Sequence, residues 1–138
     1  MQLRPLHDPA TLPPEPRCRV YLLGDAGRFP VAEFLAQAGG ADPHEFRKLT
    51  ALLDRCCRHG IPNNKEKVRP LGDGLHEFKT GGGLRVFWFW DAGRMVICAH
   101  GIVKKSNKTP PKDLKLARDR KAAYESAKRK NKIEILES

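Results

Sequence analysis

The 138-residue sequence predicts a single α+β domain. Apolar residues recur at the helical spacing in the first half of the chain, and three short apolar segments follow one another from Leu75 onward. Helices that precede a run of consecutive strands are typical of α+β folds, whereas alternating strands and helices are typical of α/β folds. The predicted element order is β-α-α-β-β-β-α, with an antiparallel sheet packed against the helices.

The first half is expected to hold one strand and two helices. The run R-V-Y-L-L-G at Arg19–Gly24 suits a strand, and Pro30 suits the first position of a helix that ends at Gly39 and Gly40. The second helix is marked more clearly. Asp42 is its N-cap candidate, and it is followed by Pro43, a Glu45 placed as in a capping box, and Gly60 at the C-terminal end.

The second half is expected to hold a three-stranded meander and a final helix. Residues 61–72 form a basic loop, and the strands cover Leu75–Thr80, Leu84–Asp91 and Met95–Lys104. Short glycine-containing turns join these strands, which favours antiparallel pairing. The middle strand is apolar on both faces, so helices should cover at least one side of the sheet. Thr109 is the N-cap candidate of the last helix, with Pro110 at its first position.

The chain is long enough for one modest core. We expect a flexible proline-rich tail over 1–17, one domain over 18–127 and a charged tail over 128–138. No apolar run approaches the roughly 20 residues that cross a bilayer, and the N-terminus lacks the apolar stretch of a signal peptide, so we expect a cytoplasmic protein. The four cysteines lack zinc spacing and are expected to be reduced and mostly buried.

Positive charge is concentrated near the C-terminus. The net charge is +10, and residues 103–132 contain 12 basic and 3 acidic residues, which gives +9 for that stretch alone. Such a field attracts phosphate backbones, acidic proteins or anionic membranes. A solvated basic helix that binds nothing is the plain alternative.

Alternating strand faces suggest where chemistry could take place. A single sheet face could gather Glu77, Lys79, Arg85, His100 and Lys104, if the strand register permits it. Metal-free RNA cleavage needs a base for the 2′-hydroxyl, cations for the phosphorane and an acid for the leaving oxygen. Arginine binds two phosphate oxygens at once, histidine titrates near neutrality, and Glu77 could serve as base. Plain alternatives remain: Arg85 in a salt bridge with Glu77 or Asp91, and His100 as a hydrogen-bonded structural residue.

Three segments resemble HigB-type toxins of the RelE/ParE superfamily, in the phage-derived branch. They are R-P-L-G-D-G-L-H-E-F-K (Arg69–Lys79), G-L-R-V-F-W-F (Gly83–Phe89) and H-G-I-V-K-K-S-N-K-T-P (His100–Pro110). The resemblance covers about residues 18–124. It implies a RelE-like α+β toxin of a type II toxin–antitoxin system, held inactive by an antitoxin that is often a helix-turn-helix protein. It further implies cleavage of mRNA in the ribosomal A site, with no metal or other cofactor and a 2′,3′-cyclic phosphate product.

The resemblance also implies roles for individual residues. Arg85 would hold the scissile phosphate, Lys79 would supply a second positive charge, and Lys104 or Lys105 would act as acid or phosphate ligand. Glu77 stands where RelE carries a lysine of the base machinery, so the identity of the general base stays open. Further candidates for RNA binding are Lys67, Arg69, Lys105, Lys108 and Lys112.

The leading prediction is therefore a toxin acting as a ribosome-dependent endoribonuclease, an RNA-binding hydrolase of the mRNA interferase type. Its expected partners are mRNA, the ribosome and a cognate antitoxin, with no membrane and no small-molecule cofactor. Two alternatives share the fold, since fold does not decide function. One is a ParE-like poison of DNA gyrase without nuclease activity, and the other is a non-catalytic basic module that binds nucleic acid.

Overall fold

A computed structural model of the chain describes residues 1–104, 106 and 108–137. Within these residues the chain forms three α-helices and seven β-strands. In chain order they are β1 (Gln2–Pro5), β2 (Arg19–Gly24), α1 (Pro30–Ala41), α2 (Pro43–His59), β3 (Val68–Gly72), β4 (Leu75–Lys79), β5 (Leu84–Asp91), β6 (Met95–Val103), α3 (Pro111–Arg129) and β7 (Glu134–Ile135).

The described strands form one mixed sheet in the order β3-β4-β5-β6-β2-β1-β7. β3 to β6 are an antiparallel meander, whose last three strands match the sequence prediction. β2 pairs parallel with β6, β1 pairs antiparallel with β2, and β7 pairs parallel with β1. The α+β class is confirmed, but the sheet is mixed because β2 and β7 run parallel to their neighbours.

Helices cover both faces of the sheet. Successive side chains of β5 point to opposite faces. Val86 and Trp88 join a core formed with α1 and α2, whereas Phe87 and Phe89 join a core formed with α3. We call these the α1–α2 face and the α3 face. This arrangement explains why the middle strand of the meander is apolar on both sides.

The helix boundaries follow the sequence signals in α2 more closely than elsewhere. The Asp42 carboxylate accepts a hydrogen bond from the Glu45 backbone N–H at 3.2 Å, and Gly60 ends the helix with a φ of +88°. α1 continues through Gly39 and Gly40 to Ala41. Two glycines cost only about 1 kcal/mol each in a helix, so the packing of α1 against the sheet outweighs them.

α3 begins one residue later than predicted. Pro110 occupies the N-cap position and Pro111 the first turn, so Thr109 does not cap this helix. The hydroxyl of Thr109 makes other hydrogen bonds, which are described with the candidate site below.

A strand replaces part of the predicted basic loop. β3 pairs with β4 through a turn in which Asp73 and Gly74 have φ angles of +55° and +77°, as expected for an Asp-Gly hairpin. Pro70 inside β3 argued against a strand. However, β3 lies at the edge of the sheet, where a missing N–H breaks no ladder hydrogen bond.

The first residues form part of the core where the sequence predicts a flexible tail. β1 lies between β2 and β7, and the Leu3 side chain is fully buried. The short segment Q-L-R-P carries no periodic signal of its own, because its partners lie far away along the chain. β7 lies in the predicted C-terminal tail, and Leu136 beyond it packs on the α1–α2 side. All four cysteines are buried and free.

Candidate active site

A β-bulge in β6 decides which side chains meet on the α3 face. Trp88 pairs with Cys98, but the next pair joins Phe87 to His100, so Ala99 is an extra residue in β6. Cys98 consequently belongs to the α1–α2 core, while His100 lies beside Phe87 on the α3 face.

The register of the meander brings the other candidates to the same face. Glu77 is opposite Arg69 on one side and Phe87 on the other, and Lys79 is opposite Arg85. The face shared by Glu77, Lys79 and Arg85, expected from alternation, is therefore present, and the bulge adds His100 to it.

A buried carboxylate surrounded by cations lies at the centre of this arrangement. The Glu77 side chain has no exposed surface. Its Oε2 lies 3.0 Å from Nη2 of Arg69, and its Oε1 lies 3.4 Å from Nε of Arg85 and 3.4 Å from Nζ of Lys104. We refer to Glu77, Arg69, Arg85 and Lys104 as the Glu77 cluster. Three formal positive charges and one negative charge leave the cluster with an excess of two positive charges.

Thr109 links two of these cations. Its hydroxyl oxygen accepts a hydrogen bond from Nζ of Lys104 at 3.1 Å and one from Nη2 of Arg69 at 3.5 Å. From the sequence, Thr109 is predicted only as a helix cap. The signal that could have revealed it is its place in the K-T-P motif, next to the basic segment that follows β6.

Burial changes the acidity of the cations. It lowers the pKa of Lys104 and of Arg85, because a charged group is less stable away from water, and the negative charge of Glu77 opposes the shift in both cases. A lysine with a lowered pKa gives up its proton more readily. Lys104 is thereby the better proton donor of the two, and Arg85 stays protonated at any physiological pH.

Arg85 connects the cluster to a surface groove. Its Nη1 donates hydrogen bonds to the carbonyl oxygens of Thr80 at 2.7 Å and Leu84 at 2.9 Å. Its Nη2 has no acceptor among the described residues, and Arg85 lines the groove between α2 and the end of β4. The guanidinium is therefore held by the Nη1 hydrogen bonds and by the contact of Nε with Glu77, while Nη2 makes no hydrogen bond to the described residues.

This groove, which we call the α2 groove, has a volume of about 750 Å³. Lys67 and Lys79 line it together with Lys48 and Arg55 of α2, and Glu66 is the one carboxylate among its described lining residues. Lys48 and Arg55 are not predicted from the sequence as site residues, because basic residues on an exposed helix face carry no signal of a groove beside them.

His100 is bound to α3. Its Nε2 lies 2.8 Å from Oδ1 of Asp113, and its Nδ1 lies 3.1 Å from Nη1 of Arg120. Arg120 can only donate, so Nδ1 accepts and the Nε2 proton points to Asp113. No hydrogen bond or ion pair joins His100 to Glu77 in the described part of the chain. The geometry thus matches the structural alternative stated for this histidine.

The remaining RNA-binding candidates lie around the cluster. Lys108 and Arg69 line a shallow cavity of about 740 Å³ together with Thr109. Lys112 is exposed in the first turn of α3. Lys105, named as a candidate above, lies outside the described residues.

Within residues 1–104, 106 and 108–137, no group of three or more histidine, cysteine, aspartate or glutamate side chains is placed to hold a metal ion. None of the described helices combines the length and the apolar character that crossing a membrane requires.

The fold and the Glu77 cluster define a small α+β protein with a positively charged centre. Residues 39–122 match the model of a protein family described as phage-derived protein Gp49-like (DUF891). The match covers more than half of the chain, and the chain belongs to this family. The family is part of the RelE/HigB-like toxin superfamily of toxin–antitoxin systems, which suggests a cognate antitoxin as a partner. No curated protein matches the chain.

Proposed function

We propose that this chain is the toxin of a type II toxin–antitoxin system and that it cleaves mRNA on the ribosome. Family membership is consistent with a toxin. The observation that carries the nuclease proposal is the convergence of Arg69, Arg85 and Lys104 on one buried carboxylate beside an open basic groove. A gyrase poison has no need of such a centre.

The proposed reaction is an intramolecular transesterification of RNA. The 2′-oxygen attacks the adjacent phosphorus, the P–O2′ bond forms and the P–O5′ bond breaks. The products are a 2′,3′-cyclic phosphate and a 5′-hydroxyl. A base removes the 2′-hydroxyl proton, an acid protonates the 5′-oxygen, and negative charge grows on the phosphate oxygens between these two events.

The cations serve the phosphate and the leaving group. Arg85, whose Nη2 has no acceptor among the described residues, and Lys79, which lines the same groove, stabilise the developing charge. Lys104, whose pKa is lowered by burial, donates the proton to the 5′-oxygen. Arg69 and Thr109 hold Lys104 in place through the contacts described above.

Glu77 is assigned a positioning role. It is fully buried and its two oxygens are directed to three cations, so it has no access to a 2′-hydroxyl. Among the described lining residues of the α2 groove, the carboxylate that remains for the base is Glu66, which is exposed. We therefore assign the base to Glu66.

The test compares purified variants on programmed ribosomes, with 5′-hydroxyl ends of mRNA as the readout. Lys79→Gln removes a charge without disturbing a hydrogen bond or ion pair of the described chain, and it should slow cleavage about tenfold. Arg85→Ala should slow it about 10² to 10³-fold, as the loss of one charge-stabilising donor does. Lys65→Gln is the control for the loss of a lysine charge. Lys65 is exposed, lies in the segment between α2 and β3 and does not line the groove.

Thermal unfolding of each variant separates loss of chemistry from loss of fold. Intact mRNA together with broken DNA after expression would contradict the proposal and favour the gyrase alternative. Cleavage that continues unchanged in both Lys79→Gln and Arg85→Ala would remove these two residues from the mechanism.

A further inference from the structure

Part of the positive charge that the sequence concentrates in residues 103–132 is neutralised within the fold. On α3, four cations form intramolecular ion pairs and a fifth is hydrogen-bonded within the fold. The ion pairs are Lys115 with Asp119, Arg118 with Asp73, Lys121 with Glu125 and Lys128 with Asp91. Arg120 donates to the Ala99 carbonyl oxygen at 2.8 Å and to His100.

The cations of the α2 groove are less neutralised. Arg55, Lys67 and Lys79 have no hydrogen bond or ion pair from their side chains among the described residues. Lys48 pairs with Glu45 at 2.9 Å, and Glu66 is the only acidic side chain of the described lining. With Arg85, five cations and one carboxylate therefore line this concave surface of the described chain.

We infer that the α2 groove binds the backbone of the single-stranded RNA next to the cleaved nucleotide, with Arg55 of α2 as a phosphate ligand. This inference rests on the proposed function for the nature of the ligand. Arg85 and Lys79 line the groove together with residues of α2, so a strand whose scissile phosphate reaches Arg85 continues along α2. Lys48 and Arg55 are seven residues apart on one helix face, roughly 10 Å along the axis, and so meet different phosphates.

The composition of the groove favours a nucleic-acid backbone over an acidic protein segment. Peptides that dock in grooves use apolar or aromatic anchors in pockets. Here the apolar lining consists of Ala51 and Leu52, with Gly81 opposite. No aromatic side chain of the described residues lines the groove, so bases have no stacking platform there, and the groove should contribute affinity without sequence preference.

The test measures binding of a fluorescein-labelled, 2′-O-methylated RNA strand, which lacks the hydroxyl needed for cleavage. Arg55→Gln should weaken binding roughly fivefold, the size of one solvent-exposed charge contact. It should also reduce the slope of log affinity against log salt by about 0.7, the value for one phosphate contact on a single strand. Both effects should be the same for oligouridine and oligoadenosine.

Arg47→Gln is the matched control, because Arg47 is an exposed, unpaired arginine of the same helix that does not line the groove. Equal weakening by both variants would mean a general charge effect and would overturn the inference, as would unchanged binding by Arg55→Gln. Polyglutamate is the second probe and stands for an acidic protein segment. If Arg55→Gln lost polyglutamate binding but bound the RNA strand as the unchanged protein does, the inference would be overturned in favour of an acidic protein partner.

The two proposals fail in different ways. Binding of the methylated strand needs neither the ribosome nor chemistry, so the α2 groove is tested even in a protein that cuts nothing. If Arg55→Gln weakens RNA binding while no variant cleaves mRNA, the inference holds and the nuclease proposal fails. If cleavage occurs and Arg55→Gln binds RNA as the unchanged protein does, only the inference fails.

Discussion

The carboxylate of Glu45, at the start of α2, accepts a hydrogen bond from the backbone N–H of Gly82 in the turn between β4 and β5. The contact is close enough that a methyl group on Gly82 would collide with that carboxylate. The same turn contains Thr80, whose carbonyl oxygen holds the Arg85 guanidinium at 2.7 Å. Glu45 thus connects α2 to the segment that orients Arg85.

The first prediction concerns the pH dependence of this connection. A hydrogen bond from Lys48, and further ones from Thr80 and the Gly82 N–H, lower the pKa of Glu45 from 4.5 to about 2. Because the pKa is lower in the folded state than in the unfolded chain, the stabilisation is complete above pH 4.5 and is lost as pH falls toward 2. Glu45→Gln should therefore be less stable than the unchanged protein at pH 7, and the difference should shrink across this window.

Urea unfolding at a series of pH values measures that difference. Glu15→Gln is the control, because Glu15 is exposed and has no hydrogen bond or ion pair among the described residues. The difference in unfolding free energy between Glu45→Gln and the unchanged protein could instead stay constant down to pH 2. That result would show that the Glu45 charge does not stabilise the fold.

The second prediction concerns the buried carboxylate of the Glu77 cluster. Glu77→Gln keeps the shape of the side chain but leaves Arg69, Arg85 and Lys104 close together without a counter-charge. Breaking a buried ion pair in this way costs about 3 to 5 kcal/mol of unfolding free energy. Urea unfolding at pH 7 measures the loss, and Glu137→Gln, an exposed position, should change stability little. A loss below about 1 kcal/mol would mean that water already reaches the cluster.

Much of this site follows from local sequence signals, and the part that does not depends on register. Alternation along the strands predicts a shared face for Glu77 and Arg85, and pairing places them there. His100 reaches that face because Ala99 is an extra residue in β6, which reverses the alternation after Cys98. A bulge responds to packing on both faces of the sheet, so the sequence of one strand does not reveal it.

The fold also combines features that local sequence signals predict with features that depend on distant partners. The caps of α2 at Asp42 and Gly60 are local interactions, and the sequence identifies them correctly. β3 was missed although Asp73-Gly74 is a strong hairpin signal, because Pro70 argued against a strand and its edge position was unknown. β1 pairs with strands distant along the chain, and nothing within Gln2–Pro5 indicates that partner.

The third prediction separates a structural from a catalytic role for His100. Its contact with Asp113 connects β6 to α3, so His100→Ala and Asp113→Ala should each lower the unfolding free energy by about 1 to 3 kcal/mol. Residues in direct contact are not additive, so the double variant should lose less than the sum of the two. The rate of mRNA cleavage per folded molecule should stay near that of the unchanged protein. A rate that falls more than about a hundredfold in a folded His100→Ala protein would instead assign the histidine to the chemistry.

The last prediction concerns the N-terminal strand. Leu3 has no exposed surface and packs with Leu23 and Ile97 in the core on the α3 face, although its segment reads as a tail. Leu3→Ala removes a fully buried side chain and should cost about 2 to 5 kcal/mol of unfolding free energy. Ile135→Ala in the neighbouring strand β7 is the matched control, because Ile135 is 55% exposed and should lose far less. Urea unfolding measures both. Equal, small losses would show that β1 is not part of the cooperative fold in solution, whereas a large loss confined to Leu3→Ala would show that β1 belongs to it.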